Sequence, residues 1–356
     1  MSTFYPGPSK VYPQIEEYLH EAFHAGILSV NHRSATCMDL TRSVMTRLHH
    51  QLQIPEDYTI YFISSATEAW EIIAQSLTKQ ESLHCFNGAF GAKWHEYAAK
   101  LVEKTTALRF EVNQPLSQAQ LNSLPASCTP DVLCVTHNET ANGTTLRDWT
   151  ALVKKFPEAI IAVDATSSFG GVNLPWQTAD VWFASVQKCL GLPAGMAIMV
   201  CSPKALERAF DLNDRSFYNS LLFIHENFQK FQTHYTPNVL GIYLLDKVMT
   251  NIEHIAAIEK KVMSRATAWY QFFEDSILPV RCLVDNPAVR SDTVITIQGT
   301  ESSIAYIKAV TTKAGITLGN GYGDLKNTTF RIANFPAISD LEIEELKDVL
   351  GSIATL

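Results

Sequence analysis

An alternation of short apolar runs with helical patterns between Tyr58 and Cys201 leaves few folds open to this chain. Such alternation is typical of a parallel sheet with helices on both faces, whose strands are nearly continuous apolar runs. We predict seven strands, at residues 59–64, 83–86, 107–112, 132–136, 160–165, 181–186 and 196–201. Helices are expected between them, at residues 68–77, 92–103 and 146–156. The pattern therefore places the chain in the α/β class.

The alternation stops near Thr236, where a long helical region begins. Shorter strand and helix patterns follow, and they predict a second, smaller α+β domain. The first residues hold too much proline and glycine for a helix or a central strand, so we expect an extended arm on the body of the protein. We assign residues 15–245 to the large domain, and residues 1–14 and 246–356 to the small domain with this arm.

The composition is that of an ordinary soluble protein, with 46% hydrophobic and 18% charged residues. The 28 basic and 36 acidic residues give a formal charge of −8, which argues against nucleic acid as a partner. No apolar run is long enough to cross a bilayer, and no signal segment opens the chain. Because the seven cysteines are scattered and form no CxxC pair, we expect a cytoplasmic protein with no membrane partner and no metal site.

Two predicted strands end in residues that can carry chemistry. Asp164 follows the apolar run 161–163, and Lys188 follows the run 181–186. Ligands of such sheets bind beyond the carboxyl ends of the strands. There a lysine can hold an aldehyde cofactor as a Schiff base, while a carboxylate keeps the nitrogen of its pyridine ring protonated. Taken singly, however, an aspartate at a strand end is more often a turn former, and a lysine there is more often solvated.

Other strand ends carry groups that suit the same kind of ligand. Ser65, Ala66 and Thr67 open a helix whose backbone N–H groups can bind a phosphate, although an ordinary N-cap has the same sequence. Phe90 lies between two glycines and can stack on an aromatic ring, or simply anchor the core. Residues 137–143 are dense in hydrogen-bonding side chains. Agreement across five strand ends favours a site for a pyridine phosphate.

Several segments together resemble the motifs of one family: FYPGPSKVYP, NHRS, SSATE, NGAFGAKW, HNETANG, DATSSFGG, SVQKCLGLPAG, YTPN and RIANFPAIS. On these motifs the chain resembles the fold-type I, class V aminotransferases that depend on pyridoxal 5′-phosphate, and within them the phosphoserine aminotransferases. The resemblance covers almost the whole chain, and the Ser-x-Gln-Lys element is its most specific part. It implies a large domain with a mainly parallel seven-stranded sheet between helices, and an enzyme that interconverts O-phosphoserine and 3-phosphohydroxypyruvate with 2-oxoglutarate and glutamate in serine biosynthesis.

The resemblance also implies roles for individual residues. Lys188 would form the Schiff base and shuttle the proton, and Asp164 would pair with the ring nitrogen. The implied cofactor-binding residues are Ser65, Ala66, Thr67, Phe90, Thr140, Asp164, Ser167 (or Ser168), Gln187, Lys188, Tyr235, Thr236 and Asn238. The segment 235–238 would come from the partner subunit of a homodimer. Arg331 would bind the α-carboxylate of the amino-acid or keto-acid substrate, and His32 and Arg33 its phosphate or side-chain carboxylate.

The sequence departs from phosphoserine aminotransferases at two places that help to bind a phosphate. It has no arginine within residues 65–67 and no histidine within residues 319–323; Lys10, Lys93 or Lys326 could supply the charge. SSATE and DATSSFGG are closer to serine–pyruvate and alanine–glyoxylate aminotransferases, which remain the alternative, whereas RIANFPAIS and GNGYG favour phosphoserine. Two more distant alternatives are a cysteine desulfurase and a non-catalytic binding protein of the same fold. A desulfurase would need a reactive cysteine on a mobile loop, and the binding protein would hold no cofactor.

Overall fold

The computed structural model of the chain describes residues 2–354. In chain order its strands are β1 (Ser2–Phe4), β2 (Thr59–Ile63), β3 (Glu81–Phe86), β4 (Lys104–Arg109), β5 (Val132–Thr136), β6 (Asn138–Glu139), β7 (Thr144–Thr145), β8 (Ile160–Asp164), β9 (Val181–Ser185), β10 (Ala197–Cys201), β11 (Val280–Cys282), β12 (Val294–Gly299), β13 (Ile316–Asn320) and β14 (Thr329–Ala333).

The α-helices of the same residues are α1 (Ile15–His24), α2 (Ala35–Leu52), α3 (Ala66–Ser76), α4 (Ala89–Ala98), α5 (Gln118–Asn122), α6 (Thr150–Lys155), α7 (Pro203–Leu212), α8 (Leu221–Phe228), α9 (Val239–Asn251), α10 (Ile255–Asp275), α11 (Glu301–Lys313) and α12 (Asp340–Ala354). Between residues 2 and 354, no helix combines the length and the hydropathy that crossing a bilayer requires.

The larger sheet has seven strands in the order β2-β10-β9-β8-β5-β3-β4. Strands β9, β8, β5, β3 and β4 are mutually parallel, and β10 runs antiparallel to both of its neighbours. A parallel return needs a crossover of a dozen or more residues, usually with a helix. The segment 186–196 between β9 and β10 contains no helix and is shorter than that, so β10 turns back beside β9. The prediction of a mainly parallel seven-stranded sheet is confirmed.

The central strands of this sheet are buried along their whole length, as their apolar sequences require. Strand β4 differs because it forms an edge of the sheet, where Lys104 and Arg109 are exposed. The sequence prediction placed this strand at 107–112, three residues too late, because an edge strand lacks the continuous apolar run that marks its neighbours.

The smaller sheet has the order β1-β13-β14-β12-β11. Its strands pair antiparallel except for β1, which pairs parallel with β13 in the register Ser2↔Ile316. Strand β1 therefore forms an edge of this sheet, and the arm that follows it runs on to the larger sheet. The backbone N–H of Ser9 donates to the carbonyl of Gln187 (2.9 Å), and that of Tyr12 to the carbonyl of Gly191 (3.0 Å).

Buried apolar side chains form two clusters. One contains residues between positions 15 and 262 and surrounds the larger sheet, and the other contains Phe4, Cys189 and residues between positions 266 and 353 around the smaller sheet. Residue 245, at the predicted domain boundary, lies within α9. Within α10, the buried apolar residues up to Val262 belong to the first cluster, and those from Ala266 onward belong to the second. One helix thus contributes its first half to one core and its second half to the other.

Candidate active site

The carboxyl edge of the larger sheet brings an acidic and a basic side chain together. Asp164 is the last residue of β8 and pairs in register with Phe183 on the parallel neighbour β9, and Lys188 follows three residues after β9 ends. Asp164 and Lys188 are each only 6% exposed. Because burying a charge is costly unless an opposite charge compensates it, these two side chains stabilise each other.

The amine of Lys188 lies between an alcohol and an aromatic ring. Its Nζ donates to Thr140 Oγ1 at 2.8 Å and lies 5.3 Å from the centroid of the Phe90 ring. Burial lowers the pKa of Lys188 to about 8, although the negative charges of Asp164 and Glu139 act in the opposite direction. A larger fraction of this amine is neutral near pH 7 than of an ordinary lysine, so it can act as a nucleophile or a base.

Asp164 is held from its own strand end. One carboxylate oxygen accepts from the backbone N–H of Thr166 at 2.9 Å. Burial raises the pKa of Asp164, while the hydrogen bond from the backbone N–H of Thr166 and the charge of Lys188 lower it. Beside it, His137 donates its backbone N–H to the carbonyl of Asp164 (3.0 Å), and its ring Nδ1 lies 2.7 Å from Ser168 Oγ. Burial lowers the pKa of His137 to about 4, so this imidazole is neutral at pH 7. It therefore adds no positive charge that would compete with a ligand for the Asp164 carboxylate.

Glu139 fixes the position of Phe90, a role that the sequence analysis did not assign. One of its oxygens accepts from the backbone N–H groups of Phe90 (3.1 Å) and Gly91 (3.3 Å), and the other from that of Ala141 (2.9 Å). The carboxylate therefore ties the first turn of α4 to the loop after β5. Gly91 lets this turn approach the sheet, because a Cβ there would lie 2.3 Å from Phe86 Cβ.

A second carboxylate stabilises the start of α3. Ser65 is the N-cap and accepts from the backbone N–H of Glu68 at 3.1 Å, as capping serines do. The Glu68 carboxylate turns back and accepts from Ser64 N (2.6 Å), Ser64 Oγ (2.7 Å) and the hydroxyl of Tyr218 (3.0 Å). Burial opposes ionisation of Glu68, but its hydrogen-bond partners outweigh burial and lower its pKa to about 2.

The Glu68 carboxylate is therefore ionised at neutral pH. The ring of His234, with Nε2 3.9 Å from Glu68 Oε1, is beyond hydrogen-bond distance, so we attribute the low pKa mainly to Ser64 and Tyr218. Of the residues expected at a phosphate site here, Ala66 is buried, and its N–H faces Ser185 Oγ at 3.4 Å, whereas Thr67 is exposed.

The hydroxyl of Ser167 is occupied within the protein. It accepts from Asn138 Nδ2 (2.7 Å) and donates to the carbonyl of Asn138 (2.8 Å), and Ser167 is completely buried. The neighbouring hydroxyl of Thr166 is different, because it is buried without a hydrogen-bond partner in the described structure. Gln187 is half-buried, and its carbonyl accepts from the arm at Ser9.

Arg331, on β14 of the smaller sheet, is only 4% exposed and reaches the same place. Its Nε donates to the carbonyl of Asn320 (2.7 Å) and one terminal nitrogen donates to the carbonyl of Thr140 (2.8 Å). Burial lowers its pKa. Among the described residues this guanidinium has carbonyl partners but no carboxylate partner, so its charge is available to an anionic ligand. Thr140 thus contacts Lys188 through its hydroxyl and Arg331 through its carbonyl.

Tyr322 completes the enclosure, and the sequence analysis gave it no role. Its ring stacks on that of Phe90 with the centroids 5.0 Å apart and the planes at 29°. Its hydroxyl accepts from Lys93 Nζ at 2.8 Å, and the Arg331 guanidinium carbon lies 5.8 Å from its ring centroid. The sequence of the glycine-rich segment 319–323 alone gave no signal for these contacts. The residues that contact Tyr322 lie far from it in sequence or on another strand.

With this geometry established, comparison with known proteins decides the family. A family model described as aminotransferase class-V matches residues 6–324. The chain belongs to the class V aminotransferases. It is 27% identical over 349 residues to a phosphoserine aminotransferase of Rhodococcus opacus, covering 96% of this chain and 91% of that protein. The predictions of an aminotransferase and of its family are therefore confirmed.

Solved structures agree with this assignment. A phosphoserine aminotransferase, SerC, from Cytophaga hutchinsonii is 30% identical to this chain, with a TM-score of 0.92 and coverage of 99% of this chain and 98% of that one. An alanine–glyoxylate aminotransferase from Nostoc is 19% identical, with a TM-score of 0.83 over 99% of this chain and 94% of that one, and it shows the shared fold alone. The predicted fold class is thus confirmed.

The arm of this aminotransferase lies directly beside Lys188. Gly7 lies so close to Lys188 that a Cβ at this position would be 3.0 Å from Lys188 Cε, and its φ of +156° is one that other residues rarely adopt. Pro6 packs on the end of β13, the strand before the loop that carries Tyr322, since a Cβ at Gly319 would lie 2.4 Å from Pro6 Cδ. The arm therefore contacts both Lys188 and β13.

Five predicted site residues of this aminotransferase have partners other than Lys188 and Asp164, or are exposed, in the single chain. Arg33 is exposed and its Nε lies 3.4 Å from His32 Nε2. Asn238 caps α9 by accepting from the N–H of Gly241 (2.9 Å), with Tyr235 half-buried and Thr236 exposed before it. Burial raises the pKa of Tyr235. In the single chain, within residues 2–354, none of these five side chains hydrogen-bonds with Lys188 or Asp164.

Proposed function

We propose that this class V aminotransferase uses pyridoxal 5′-phosphate to exchange an amino group between O-phosphoserine and 2-oxoglutarate, and between glutamate and 3-phosphohydroxypyruvate, in serine biosynthesis in the cytoplasm. The observation that carries the proposal is the double contact of Thr140. Its hydroxyl accepts from a buried amine and its carbonyl from a buried guanidinium, so groups suited to the reacting carbon and to the carboxylate of an α-amino acid meet at one residue. The relatives from Rhodococcus opacus and Cytophaga hutchinsonii, both named for this reaction, support it.

The residues present fit pyridoxal 5′-phosphate. Lys188 would hold its aldehyde carbon, Asp164 its ring nitrogen, Phe90 a face of its ring, and the start of α3 its phosphate. Within residues 2–354 the buried hydroxyl of Thr166 has no hydrogen-bond partner, which suits a polar ligand beside Asp164. When bound, the pyridine ring supplies an electron sink for the bond that breaks at the substrate carbon.

The protein residues then have distinct tasks in the reaction. The neutral amine of Lys188 would take the proton from the substrate Cα and pass it to the former aldehyde carbon of the cofactor, because its lowered pKa lets it act as a base at neutral pH. Thr140 Oγ1 orients this amine, and the Asp164 carboxylate stabilises positive charge next to it. Arg331 binds the α-carboxylate with its planar guanidinium, which fixes the substrate for proton transfer. Burial of all these groups excludes water.

We also propose a homodimer in which each site takes residues from both subunits. His32, Arg33, Tyr235, Thr236 and Asn238 lie in two segments whose side chains make no hydrogen bond with Lys188 of their own chain within residues 2–354. Arg33, Thr236 and Asn238 are exposed in the single chain, so a partner subunit can contact them. In such a dimer the YTPN segment would approach the cofactor phosphate, and the NHRS segment the substrate.

The alternative is an aminotransferase for unphosphorylated serine or alanine with pyruvate or glyoxylate, which the SSATE and DATSSFGG motifs favour. Half-reactions of the purified enzyme with single amino donors separate the two. We expect kcat/KM for O-phosphoserine to exceed that for serine and alanine by about 100-fold or more, because a site that binds an anion discriminates strongly against a donor that lacks it. Equal rates, or faster reaction of serine or alanine, would contradict the proposed substrate.

A further inference from the structure

We infer that Lys93 and Tyr322 together bind the distal anion of the substrate, a phosphate monoester or a side-chain carboxylate. This inference rests on the proposed function and identifies the groups that select among amino donors. Lys93 belongs to α4, which packs beside the larger sheet, and Tyr322 to the loop between β13 and β14 of the smaller sheet.

The position of Tyr322 places this pair next to the reacting groups. Its ring stacks on Phe90, and Phe90 in turn lies 5.3 Å from Lys188 Nζ. On the other side, the guanidinium carbon of Arg331 is 5.8 Å from the centre of the Tyr322 ring. A substrate whose α-carboxylate is bound by Arg331 and whose Cα faces Lys188 therefore has Tyr322 along its flank. The hydroxyl end of that ring, where Lys93 lies, is within reach of a short side chain.

Lys93 differs from the other cations near the site in its partners. Lys10 pairs with Glu342, and Arg331 is bound by two backbone carbonyls. Lys93 forms no ion pair within the described residues; it donates to the neutral hydroxyl of Tyr322 and lies 5.4 Å from the centre of its ring. The hydrogen bond with Tyr322 raises the pKa of Lys93, so the ammonium is charged at neutral pH. Two of its three N–H donors are left for a ligand.

The chemistry of the pair suits an oxyanion. The Tyr322 oxygen accepts a hydrogen from Lys93, so its own hydrogen is free to be donated. A phosphate or carboxylate placed between them would accept from the phenol and from the ammonium, and bonds of this charge-assisted kind are stronger than neutral ones. A substrate with an uncharged side chain would form no such charge-assisted bonds with the pair. The pair therefore favours donors with a negative charge at the end away from the α-carbon.

Close packing fixes the loop that presents Tyr322. A Cβ at Gly321 would lie 2.1 Å from the carbonyl oxygen of Leu325 and 2.4 Å from Thr329 Oγ1, so the backbone before Tyr322 is pressed against the following turn. Thr329 Oγ1 also donates to the Leu325 carbonyl at 2.7 Å. The hydroxyl is thus held in place before a substrate arrives, which reduces the ordering that binding requires.

Substitutions that remove either the charge of Lys93 or the hydroxyl of Tyr322 test the inference. Lys93→Ala removes the ammonium, Lys93→Arg keeps a cation, and Tyr322→Phe keeps the stacked ring but removes the hydroxyl. Lys100→Ala is the matched control, since Lys100 also lies over a tyrosine ring (Tyr97, 4.7 Å) but is paired with Glu96 at the surface. Steady-state kcat and KM are measured with O-phosphoserine, glutamate, serine and alanine, and inorganic phosphate is titrated as a competitive inhibitor.

We expect Lys93→Ala to lower kcat/KM for O-phosphoserine and glutamate by about 10- to 100-fold, mostly through KM, and to weaken inhibition by phosphate by a similar factor. Serine and alanine should change less than about threefold. Tyr322→Phe should show a smaller loss of the same selectivity, Lys93→Arg should restore most of it, and Lys100→Ala should match the wild type. A larger loss with O-phosphoserine than with glutamate identifies the phosphate as the preferred anion, and the reverse identifies the carboxylate.

Two results would overturn the inference, and the wild-type donor panel shows whether the proposed function fails with it. If the wild type prefers O-phosphoserine while Lys93→Ala keeps its selectivity, or slows all four donors equally, the inference alone is wrong. If the wild type uses serine or alanine but neither phosphoserine nor glutamate, both are wrong. Preference for glutamate over phosphoserine, with selectivity lost in Lys93→Ala, supports the inference and contradicts the proposed substrate. Near-ultraviolet circular dichroism of each variant confirms that it is folded.

Discussion

The Lys188 amine donates a 2.8 Å hydrogen bond to the hydroxyl of Thr140, whose own carbonyl accepts from Arg331. One residue on the loop after β6 therefore sets both the direction of the amine and the position of the guanidinium. The amine comes from the larger sheet and the guanidinium from the smaller one, so Thr140 couples the two sheets at the candidate active site.

Replacing Thr140 tests this coupling. Thr140→Val keeps the shape of the side chain but removes the acceptor for Lys188, and we expect kcat to fall about 10-fold, the value of one hydrogen bond of about 1.4 kcal/mol. Thr140→Ser keeps the hydroxyl and should stay within about threefold of the wild type. Because the backbone carbonyl that Arg331 uses is present in both variants, KM should change little. An equal loss in the two variants would indicate that the hydroxyl is not the cause.

The lowered pKa of Lys188 predicts how the apoprotein reacts with pyridoxal as pH changes. Only the neutral amine attacks an aldehyde, so the rate should rise with pH, pass its midpoint near pH 8 and level off above it, whereas an ordinary lysine has its midpoint near 10.5. Stopped-flow absorbance measures this rate. Asp164→Asn removes a charge that raises the pKa of Lys188, so its midpoint should shift to lower pH. Lys188→Ala should not react, and a midpoint near 10 in the wild type would contradict the assignment.

The carboxylate of Glu68 predicts a pH-dependent stability. Because its pKa is about 2 in the folded protein and 4.5 in the reference state, its contribution is complete above pH 4.5 and disappears as pH falls towards 2. Glu68→Gln should lower the free energy of unfolding at pH 7 by about 1–3 kcal/mol, and the difference from the wild type should shrink between pH 4.5 and pH 2. Urea unfolding of the apoproteins at several pH values measures this. A difference that is constant over that range would show that the charge is not responsible.

Gly91 predicts an exception to helix propensity. Alanine normally stabilises the interior of a helix by up to about 1 kcal/mol over glycine. At Gly91 the new Cβ would lie 2.3 Å from Phe86 Cβ and 2.9 Å from Thr136 Oγ1, so Gly91→Ala should destabilise the protein by about 1–3 kcal/mol and displace Phe90. Gly351→Ala is the matched control, because a Cβ in that exposed turn of α12 meets nothing within 4 Å. Thermal unfolding should therefore shift in opposite directions for the two variants.

The proposed shared site predicts complementation between inactive subunits. Lys188→Ala and Arg33→Ala homodimers should each lose most activity with O-phosphoserine. If Arg33 serves the partner's lysine, a heterodimer purified through two different tags has one site with both residues intact and should recover about half of the wild-type activity. Recovery no greater than the average of the two homodimers would place Arg33 in the site of its own chain. Light scattering of the wild type gives the oligomeric state independently.

Most of the larger sheet follows from its apolar runs. Strand β5 has the predicted bounds, and the other buried strands differ from prediction by one or two residues, because burial on both faces leaves a continuous signal. The antiparallel direction of β10 could not be predicted from its apolar run, since parallel and antiparallel buried strands have the same apolar pattern. Nor could β1, whose three residues depend on pairing with Ile316 and its neighbours at the far end of the chain.

The closeness of Asp164 and Lys188 could be predicted because strand order determines it: Asp164 ends β8, and Lys188 follows its parallel neighbour β9. Contacts that depend on side-chain direction could not be predicted. Ser167 and Thr166 are adjacent and chemically alike, yet the first hydroxyl is bonded to Asn138 and the second has no partner among the described residues. Glu139 and Tyr322 act through Phe90, and a sequence without its fold cannot show that these three residues meet.

Helix α10 has a consequence for any attempt to divide this protein. Its 21 residues form a rod about 30 Å long, with Ile258 and Val262 in one core and Trp269 and Phe273 in the other. A fragment that ends before the helix would expose the surface that Ile258 and Val262 cover, and a fragment that begins after it would lose Trp269 and Phe273. A fragment that keeps the helix would leave one end of its apolar face in water. The two halves are therefore not modules to be exchanged or expressed separately.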